Sequence, residues 1–241
     1  MNPARPSGKS RRQAAPGITA MEEGNGSPRR LLKERAYAEI KKRILSGEYA
    51  PGSFLSERQV AFQLAMSKTP IRAALERLEL EGFVTISPQQ GVIVRDLSVH
   101  EIADQYEIRA ALEAFVLRSL AGRLTPAQVE RVEANLKAQE ANCREGDVKR
   151  GVELDADFHI MFCEFLGNRE ILRVMGYLRD KINRVISRVF QLNRERVYTS
   201  YLEHRGIAEA VIGGDGPLAA RRIEEHLEYG KQYLLSPRRS G

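Results

Sequence analysis

Four side chains in the C-terminal half of the chain have the chemistry of transition-metal ligands. Asp155 and His159 are four residues apart, so both project from one face if the segment is helical. His204 and His226 follow at longer intervals, and the set includes three of the four histidines. Three imidazoles and one carboxylate suit a divalent transition metal with room for water or a ligand. The spacing equally allows His159 to be a packed core residue and His204 and His226 to lie on the surface.

Arg109 is a second candidate binding residue, because it interrupts an apolar stripe on one face of a predicted helix. The stripe comprises Ile102, Tyr106, Arg109, Glu113, Val116 and Leu120. A buried charge needs a partner. Two interpretations stay open: a structural ion pair between Arg109 and Glu113, or a clamp in which Arg109 binds the carboxylate of a small organic acid.

A helical bundle would position these residues, and the sequence after Asp96 predicts one. Capping boxes at Ser98 and Thr125 open two of its helices, and glycines end several others. The predicted helices cover about 98–120, 126–145, 148–166, 170–192, 195–212 and 217–235. Short links between six helices favour an all-α antiparallel bundle, in which three helices can surround one point.

The segment 30–95 has a different pattern, with three short helices followed by a β-hairpin. Apolar periodicity predicts the first helix, Ser56 caps the second, and Thr69-Pro70 opens the third with Pro70 at its first position. Two β-rich runs, 83–86 and 92–94, form the hairpin. This order is that of a winged helix-turn-helix domain, whose third helix can enter the major groove of DNA.

The distribution of charge supports a nucleic-acid partner for this front part. Residues 1–95 hold sixteen lysines and arginines against nine glutamates, whereas residues 96–241 hold twenty-two against twenty-three acidic residues. A basic front on a neutral rear indicates DNA contact at the front, although a basic tail without a partner is the alternative. Residues 1–29 are rich in Pro, Gly, Ser, Ala and Arg, and we expect a flexible basic arm there.

Composition bounds the class of protein. With 241 residues, 42% hydrophobic and 29% charged, the chain has ordinary globular composition and is long enough for two domains. No apolar run reaches the length of a membrane-spanning helix, and no secretory signal follows the N-terminus. The two cysteines are predicted to be reduced thiols, and the protein to be cytoplasmic.

Three motifs in the front segment resemble the GntR family of bacterial transcription regulators. They are PGSFLSER (51–58), MSKTPIRAALERL (66–78) and EGFV (81–84), which occur in order at the family's spacing. The resemblance covers about residues 31–95, and it implies a winged domain that binds operator DNA as a dimer. The DNA contacts that it implies are Arg58, Ser67, Lys68, Thr69, Arg72, Gln90 and Gly91. Lys68 stands where the family more often has Arg, and Ser67 or Thr69 could serve only as helix caps.

Residues 98–235 resemble the FCD ligand-binding domain, the effector module of the FadR subfamily of GntR regulators. The resemblance is carried by LDADFH (154–159), Gly167-Asn168, Glu203-His204, Gly214-Asp215 and His226. Metal-binding members use one Asp and three His, which implies a divalent ion on Asp155, His159, His204 and His226. Zinc is the expected metal, with nickel or another transition metal as alternatives. The family also places an Arg in an R-x-x-L-E run, which here begins at Arg109 and favours its role as an effector clamp.

These patterns together predict a homodimeric, DNA-binding transcriptional regulator rather than an enzyme. A small organic acid bound near the metal would modulate its binding to operator DNA. Two other classes stay open: a metalloenzyme fused to a DNA-binding module, and a pure metal sensor. The hydrolase form of the first would favour an H-E-x-x-H helix, which the sequence lacks.

Overall fold

The order of elements follows the predicted division into a front and a rear part. The computed structural model describes Met1 and residues 28–87, 91–96 and 98–235. The front part contains α1 (Pro28–Leu45), β1 (Phe54–Leu55), α2 (Glu57–Gln63), α3 (Lys68–Leu80), β2 (Val84–Ser87) and β3 (Gly91–Val94). The rear part contains α4 (Val99–Leu120), α5 (Pro126–Glu145), α6 (Val148–Leu166), α7 (Arg169–Leu192), α8 (Glu195–Ile212) and α9 (Gly216–Leu235). The predicted fold class, mainly helical with a winged helix-turn-helix ahead of a helical bundle, is confirmed.

The front part is built on one apolar core under its three helices. Helix α3 contributes Ile71, Leu75 and Leu78, which lie three to four residues apart and are almost fully buried against α1. The predicted hairpin of β2 and β3 is present, but β1 adds a third strand in the order β1-β3-β2. Strand β1 was not predicted, because a two-residue strand has no alternation to detect.

The turn between α2 and α3 positions the start of the recognition helix. The Ser56 hydroxyl accepts a hydrogen bond from the Gln59 amide at 3.1 Å, as the capping pattern predicted. Helix α3 begins at Lys68, so Pro70 occupies its third position. The prediction that Pro70 is the first residue of this helix is wrong. The proline is tolerated there because the first-turn amides have no partner within the helix. Ala65 lies in the turn with φ of +51°, a left-handed conformation for a residue with a side chain.

The six rear helices surround a second core. Helix α4 lies along α9, α6 packs on α7, and α5 contacts both α6 and α8. Phe158, Met161, Ile207 and Ile223 are among its most buried side chains. The predicted capping boxes at the starts of α4 and α5 are both formed. The core therefore places α6, α8 and α9, which carry the candidate metal ligands, around one interior region.

Helix α7 also contacts the front part. The Lys41 ammonium lies 2.7 Å from Asp180 of α7 and 2.8 Å from Glu81 at the end of α3. The Arg184 guanidinium donates to the carbonyl of Arg95 at 3.1 Å. The front and rear parts are thus joined through polar contacts of one helix.

Most of the predicted N-terminal arm lies outside the described residues. Of the arm predicted at 1–29, residues 2–27 lie outside them, while Pro28 and Arg29 belong to α1. In the part of the chain that is described, every helix is too short or too polar to traverse a bilayer.

Candidate metal centre and DNA-binding surface

The candidate DNA-binding residues lie exposed at the starts of α2 and α3. Those described here are Arg58, Ser67, Lys68, Thr69 and Arg72. Glu57 accepts two hydrogen bonds from the Arg72 guanidinium, both at 3.0 Å, and so holds this side chain against α2 while 63% of it stays exposed. The Ser67 hydroxyl makes no capping hydrogen bond, although Ser67 occupies the N-cap position.

The wing is described only in part. Gln90 lies outside the described residues, whereas Gly91 begins β3 with φ of +92°. A Cβ atom at Gly91 would approach the Leu55 carbonyl oxygen to 3.3 Å, so a side chain there would be strained by the backbone conformation and tight against that oxygen.

The four predicted metal ligands meet inside the rear bundle. One ligand atom from each of Asp155, His159, His204 and His226 lies within 4.8 Å of every other. The Nε2 atoms of His204 and His226 are 3.4 Å apart, and Asp155 reaches to 3.7 Å from His204 and 3.8 Å from His159. All four are buried, and His204 is fully enclosed. The interpretation that His204 and His226 lie on the surface is therefore wrong.

The other nitrogen of each imidazole is held by an oxygen acceptor. His159 Nδ1 donates to Glu113 at 2.5 Å, His204 Nδ1 to Gln139 at 2.9 Å, and His226 Nδ1 to Glu203 at 2.6 Å. Because carboxylate and amide oxygens only accept, each Nδ1 carries the hydrogen and each Nε2 presents its lone pair to the cluster. Ligand histidines in metal sites are oriented in this way.

The interior of the cluster consists of acceptors without donors. Three Nε2 lone pairs and the Asp155 carboxylate converge, and Asp155 Oδ2 and His159 Nε2 have no hydrogen-bond partner among the described residues. Such an arrangement is repulsive unless a cation or protons lie between the groups. About 3.4 Å between ligand atoms is also what a tetrahedral ion with bonds of about 2.1 Å would give. The cluster is compatible with a divalent metal.

Charged residues around the cluster set its protonation. Burial raises the pKa of Glu113, but the charge of Arg109 and the hydrogen bonds from His159 and Arg109 more than offset this and hold it at about 2. Glu203 behaves alike, since hydrogen bonds from His226 and Arg196 outweigh burial and lower its pKa to about 2. Burial lowers the pKa of His204 and of His226, which keeps these imidazoles neutral and able to bind metal at neutral pH.

Arg109 forms the buried ion pair that one interpretation predicted. Its Nε donates to Glu113 at 2.8 Å, and both side chains are about 3–4% exposed. The pair is more than structural, because the second oxygen of Glu113 holds the ligand His159. Arg109 and His159 also line a narrow cleft that is otherwise walled by α6 and α7.

Sequence reasoning missed the acceptors that orient two of the imidazoles. Gln139 comes from α5, and its amide is oriented by donation to Asn135 at 2.7 Å. Glu203 precedes His204 and is held by two short hydrogen bonds from the buried Arg196. Arg196 and Glu203 are seven residues apart on α8, and this spacing is a weak signal that they form an ion pair. Nothing near Gln139 in the sequence indicates that it contacts His204.

Known proteins match both parts of the chain. The model of the FCD domain matches residues 104–229, and that of bacterial regulatory proteins of the gntR family matches residues 32–94. An HTH-type transcriptional regulator in an unstable DNA locus of Streptomyces ambofaciens is 29% identical over 208 residues, covering 86% of this chain and 85% of that protein. The HTH-type transcriptional repressor RspR of Escherichia coli K12 is 26% identical over 203 residues, covering 84% and 88%.

Solved structures share the fold across both parts. Escherichia coli McbR/YncC matches with a TM-score of 0.71 and 19% identity, covering 84% of this chain and 96% of that one. A GntR-type regulator of Rhodococcus sp. RHA1 matches with a TM-score of 0.74 and 20% identity, covering 86% and 99%.

A winged helix-turn-helix joined to a helical domain of this kind defines a DNA-binding transcriptional regulator. The chain belongs to the GntR family and carries an FCD domain. The prediction that it is not an enzyme is confirmed, because the family and these relatives are transcriptional regulators.

Proposed function

We propose that this regulator holds a divalent metal in its FCD domain and that a small organic acid bound beside the metal modulates its affinity for operator DNA. The observation that carries the proposal is the convergence of four buried acceptor groups, each imidazole being fixed by an acceptor at Nδ1. Asp155, His159, His204 and His226 would hold the ion. The bound ion would supply a Lewis-acidic centre for a carboxylate.

Elemental analysis of the purified full-length protein tests the metal. We expect about one zinc, nickel or similar ion per chain in the wild type, and a large loss in Asp155→Asn, which keeps the volume of the side chain. Asp157→Asn is the matched control, because Asp157 is an exposed neighbour on α6. Equal metal content in both variants, or none in the wild type, would overturn the proposal.

Operator contact is assigned to the exposed starts of α2 and α3 and to the wing. Arg72 is held by Glu57 beside the solvent-facing start of the recognition helix, where Lys68 and Thr69 are also exposed. Arg can pair with guanine in the major groove, and Ser, Thr and Lys can bind phosphate. Arg58 would add a phosphate contact from α2. Gln90 and Gly91 would contribute at the tip of the wing.

Selection of genomic DNA fragments with purified protein tests this assignment. We expect an enriched, roughly palindromic sequence whose retention falls about 10- to 100-fold in Arg72→Ala, the range of one bidentate base contact. Arg144→Ala is the matched control, because this exposed arginine lies on α5 of the rear domain. No enrichment, or an equal loss in both variants, would contradict the assignment.

A homodimer is proposed on the outer face of α4. Ile108 and Phe115 are seven residues apart on this helix and are 45% and 51% exposed, with Leu112 between them. Two winged domains would then read half-sites about one helical turn apart. Light scattering of the full-length protein should give twice the mass of the chain, and Phe115→Lys should shift it toward the monomer. A monomeric wild type would overturn the dimer.

The acid is proposed to bind next to Arg109. Only the Nε atom of this buried guanidinium has a hydrogen-bond partner within the described part of the chain, so its terminal nitrogens remain to bind a carboxylate. The cleft adjoins His159, so a carboxylate bound there would lie beside the metal cluster.

A further inference from the structure

The cleft beside the metal cluster has a second wall that the metal does not require. One wall is formed by Arg109 of α4 and His159 of α6, and the opposite wall by Met175, Arg179 and Asn183 of α7. The space between these walls is narrow and partly open to solvent. Polar groups therefore face the cleft from both walls.

The two arginines of this cleft differ in how they are neutralised. Arg109 is paired with Glu113 at 2.8 Å. Arg179 has no ion pair or hydrogen bond with any residue in the described ranges, and its side chain is exposed. Arg179 therefore brings a positive charge to the cleft that no described residue balances, and a carboxylate bound in the cleft would pair with it.

The charge of the loaded site indicates the charge of its ligand. Imidazoles that donate from Nδ1 and bind through Nε2 are neutral. Glu113 neutralises Arg109, and Glu203 neutralises Arg196 at 2.6 Å. A divalent ion would bring two positive charges, of which Asp155 balances one. With the charge of Arg179 added, the site would carry about two positive charges. A ligand that balances the site carries two negative charges.

We propose that Arg179 and Asn183 form the outer half of the effector site, and that the effector is a short dicarboxylate. One carboxylate lies beside Arg109 and the metal cluster, and the other binds the Arg179 guanidinium and the Asn183 amide. This inference rests on the proposed function, since it presupposes an organic acid beside the metal. It adds the chemical class of the acid and the residues that select it.

Helix α7 connects the proposed dicarboxylate site with the DNA-binding part. Met175, Arg179 and Asn183 are spaced by four residues on one face of α7, while Asp180 and Arg184 on the adjoining face contact Lys41 and the Arg95 carbonyl. The cleft between the walls has room for about one water molecule. A larger ligand must displace side chains of α7, and that displacement acts on Asp180 and Arg184, which directly follow Arg179 and Asn183 in the chain.

Calorimetric titration of the zinc-loaded, full-length protein with succinate and with butyrate tests the proposal. The two acids have the same number of carbons and differ in the second carboxylate. We expect succinate to bind about 10- to 100-fold more tightly, the range for charge-assisted hydrogen bonds. Arg179→Gln should reduce this preference to about threefold or less while the affinity for butyrate stays unchanged. Arg173→Gln, an exposed arginine on α7 paired with Glu170, should retain the full preference.

The outcomes separate this inference from the proposed function. Equal affinity for both acids in the wild type, or an undiminished preference in Arg179→Gln, overturns the dicarboxylate clamp and leaves an acid site beside the metal. Binding of neither acid by protein that contains zinc overturns the acid site itself, and the clamp with it. Loss of the preference in both arginine variants also contradicts the specific role of Arg179.

Discussion

Glu113→Gln tests how the ion pair and the metal centre depend on one carboxylate. One oxygen of Glu113 accepts from Arg109 at 2.8 Å and the other from His159 at 2.5 Å, and the side chain is 4% exposed. Glutamine keeps the volume but leaves the buried guanidinium without a counter-charge, which costs about 3–5 kcal/mol in comparable buried pairs. The single amide oxygen of glutamine cannot accept from both Arg109 and His159, and weakening the acceptor behind a ligand histidine lowers metal affinity by about 10- to 100-fold.

The two effects are measured separately in this variant. Urea unfolding in the presence of a chelator gives the free energy of unfolding, and competition with a zinc indicator gives the metal affinity. Glu107→Gln is the matched control, because this exposed residue of α4 pairs with Lys231 at the surface and should contribute at most about 1 kcal/mol. A stability loss no larger than that of the control would refute the role of Glu113 beside Arg109. Unchanged zinc affinity would refute its role in orienting His159.

Three further results are expected. Ala65→Gly should raise the free energy of unfolding by about 0.5–1 kcal/mol in urea melts, because glycine relieves the left-handed turn before α3; a destabilised variant would contradict this. Burial raises the pKa of Glu81, but the hydrogen bonds from Lys41 and Tyr37 outweigh it and lower the pKa overall. The stabilisation by Glu81 should therefore be complete above about pH 4.5 and be lost as the pH falls through its folded-state pKa, so the difference between wild type and Glu81→Gln should shrink in acid; a constant difference would refute it. Chelation should lower the melting temperature by about 5–10 °C if zinc is held at about a hundred times its Kd, and an unchanged melting temperature would count against a native-state metal.

Local signals in the sequence were sufficient for most of the fold. The capping boxes at Ser98 and Thr125 and the helix-ending glycines depend on neighbours within a few residues, and the structure has them as predicted. The start of α3 was misplaced because both Ser67 and Thr69 can cap a helix, and the sequence does not decide between them. Strand β1 depends on pairing with β3, which lies almost forty residues later.

The candidate site was also predictable only in part, because some of its residues are recognisable by type and others only through contacts between helices. Residue types alone selected Asp155 and the three histidines, because few other groups bind transition metals. Their acceptors could not be found in this way, since Gln139 and Glu203 are common surface residue types and become significant only through contacts between helices. The i, i+4 spacing predicted the pair of Arg109 and Glu113. It did not predict the hydrogen bond that the second oxygen of Glu113 accepts from His159.

The most direct test of an acid-responsive regulator is the affinity of the full-length protein for its selected operator, measured by fluorescence anisotropy with and without a pool of short mono- and dicarboxylic acids. For zinc-loaded protein, we expect the pool to change the operator Kd by at least about fivefold, the lower range of allosteric coupling. The same pool should have no effect after chelation, and zinc should restore the response. An operator Kd that the acids leave unchanged, or change equally with and without metal, would contradict the proposed function.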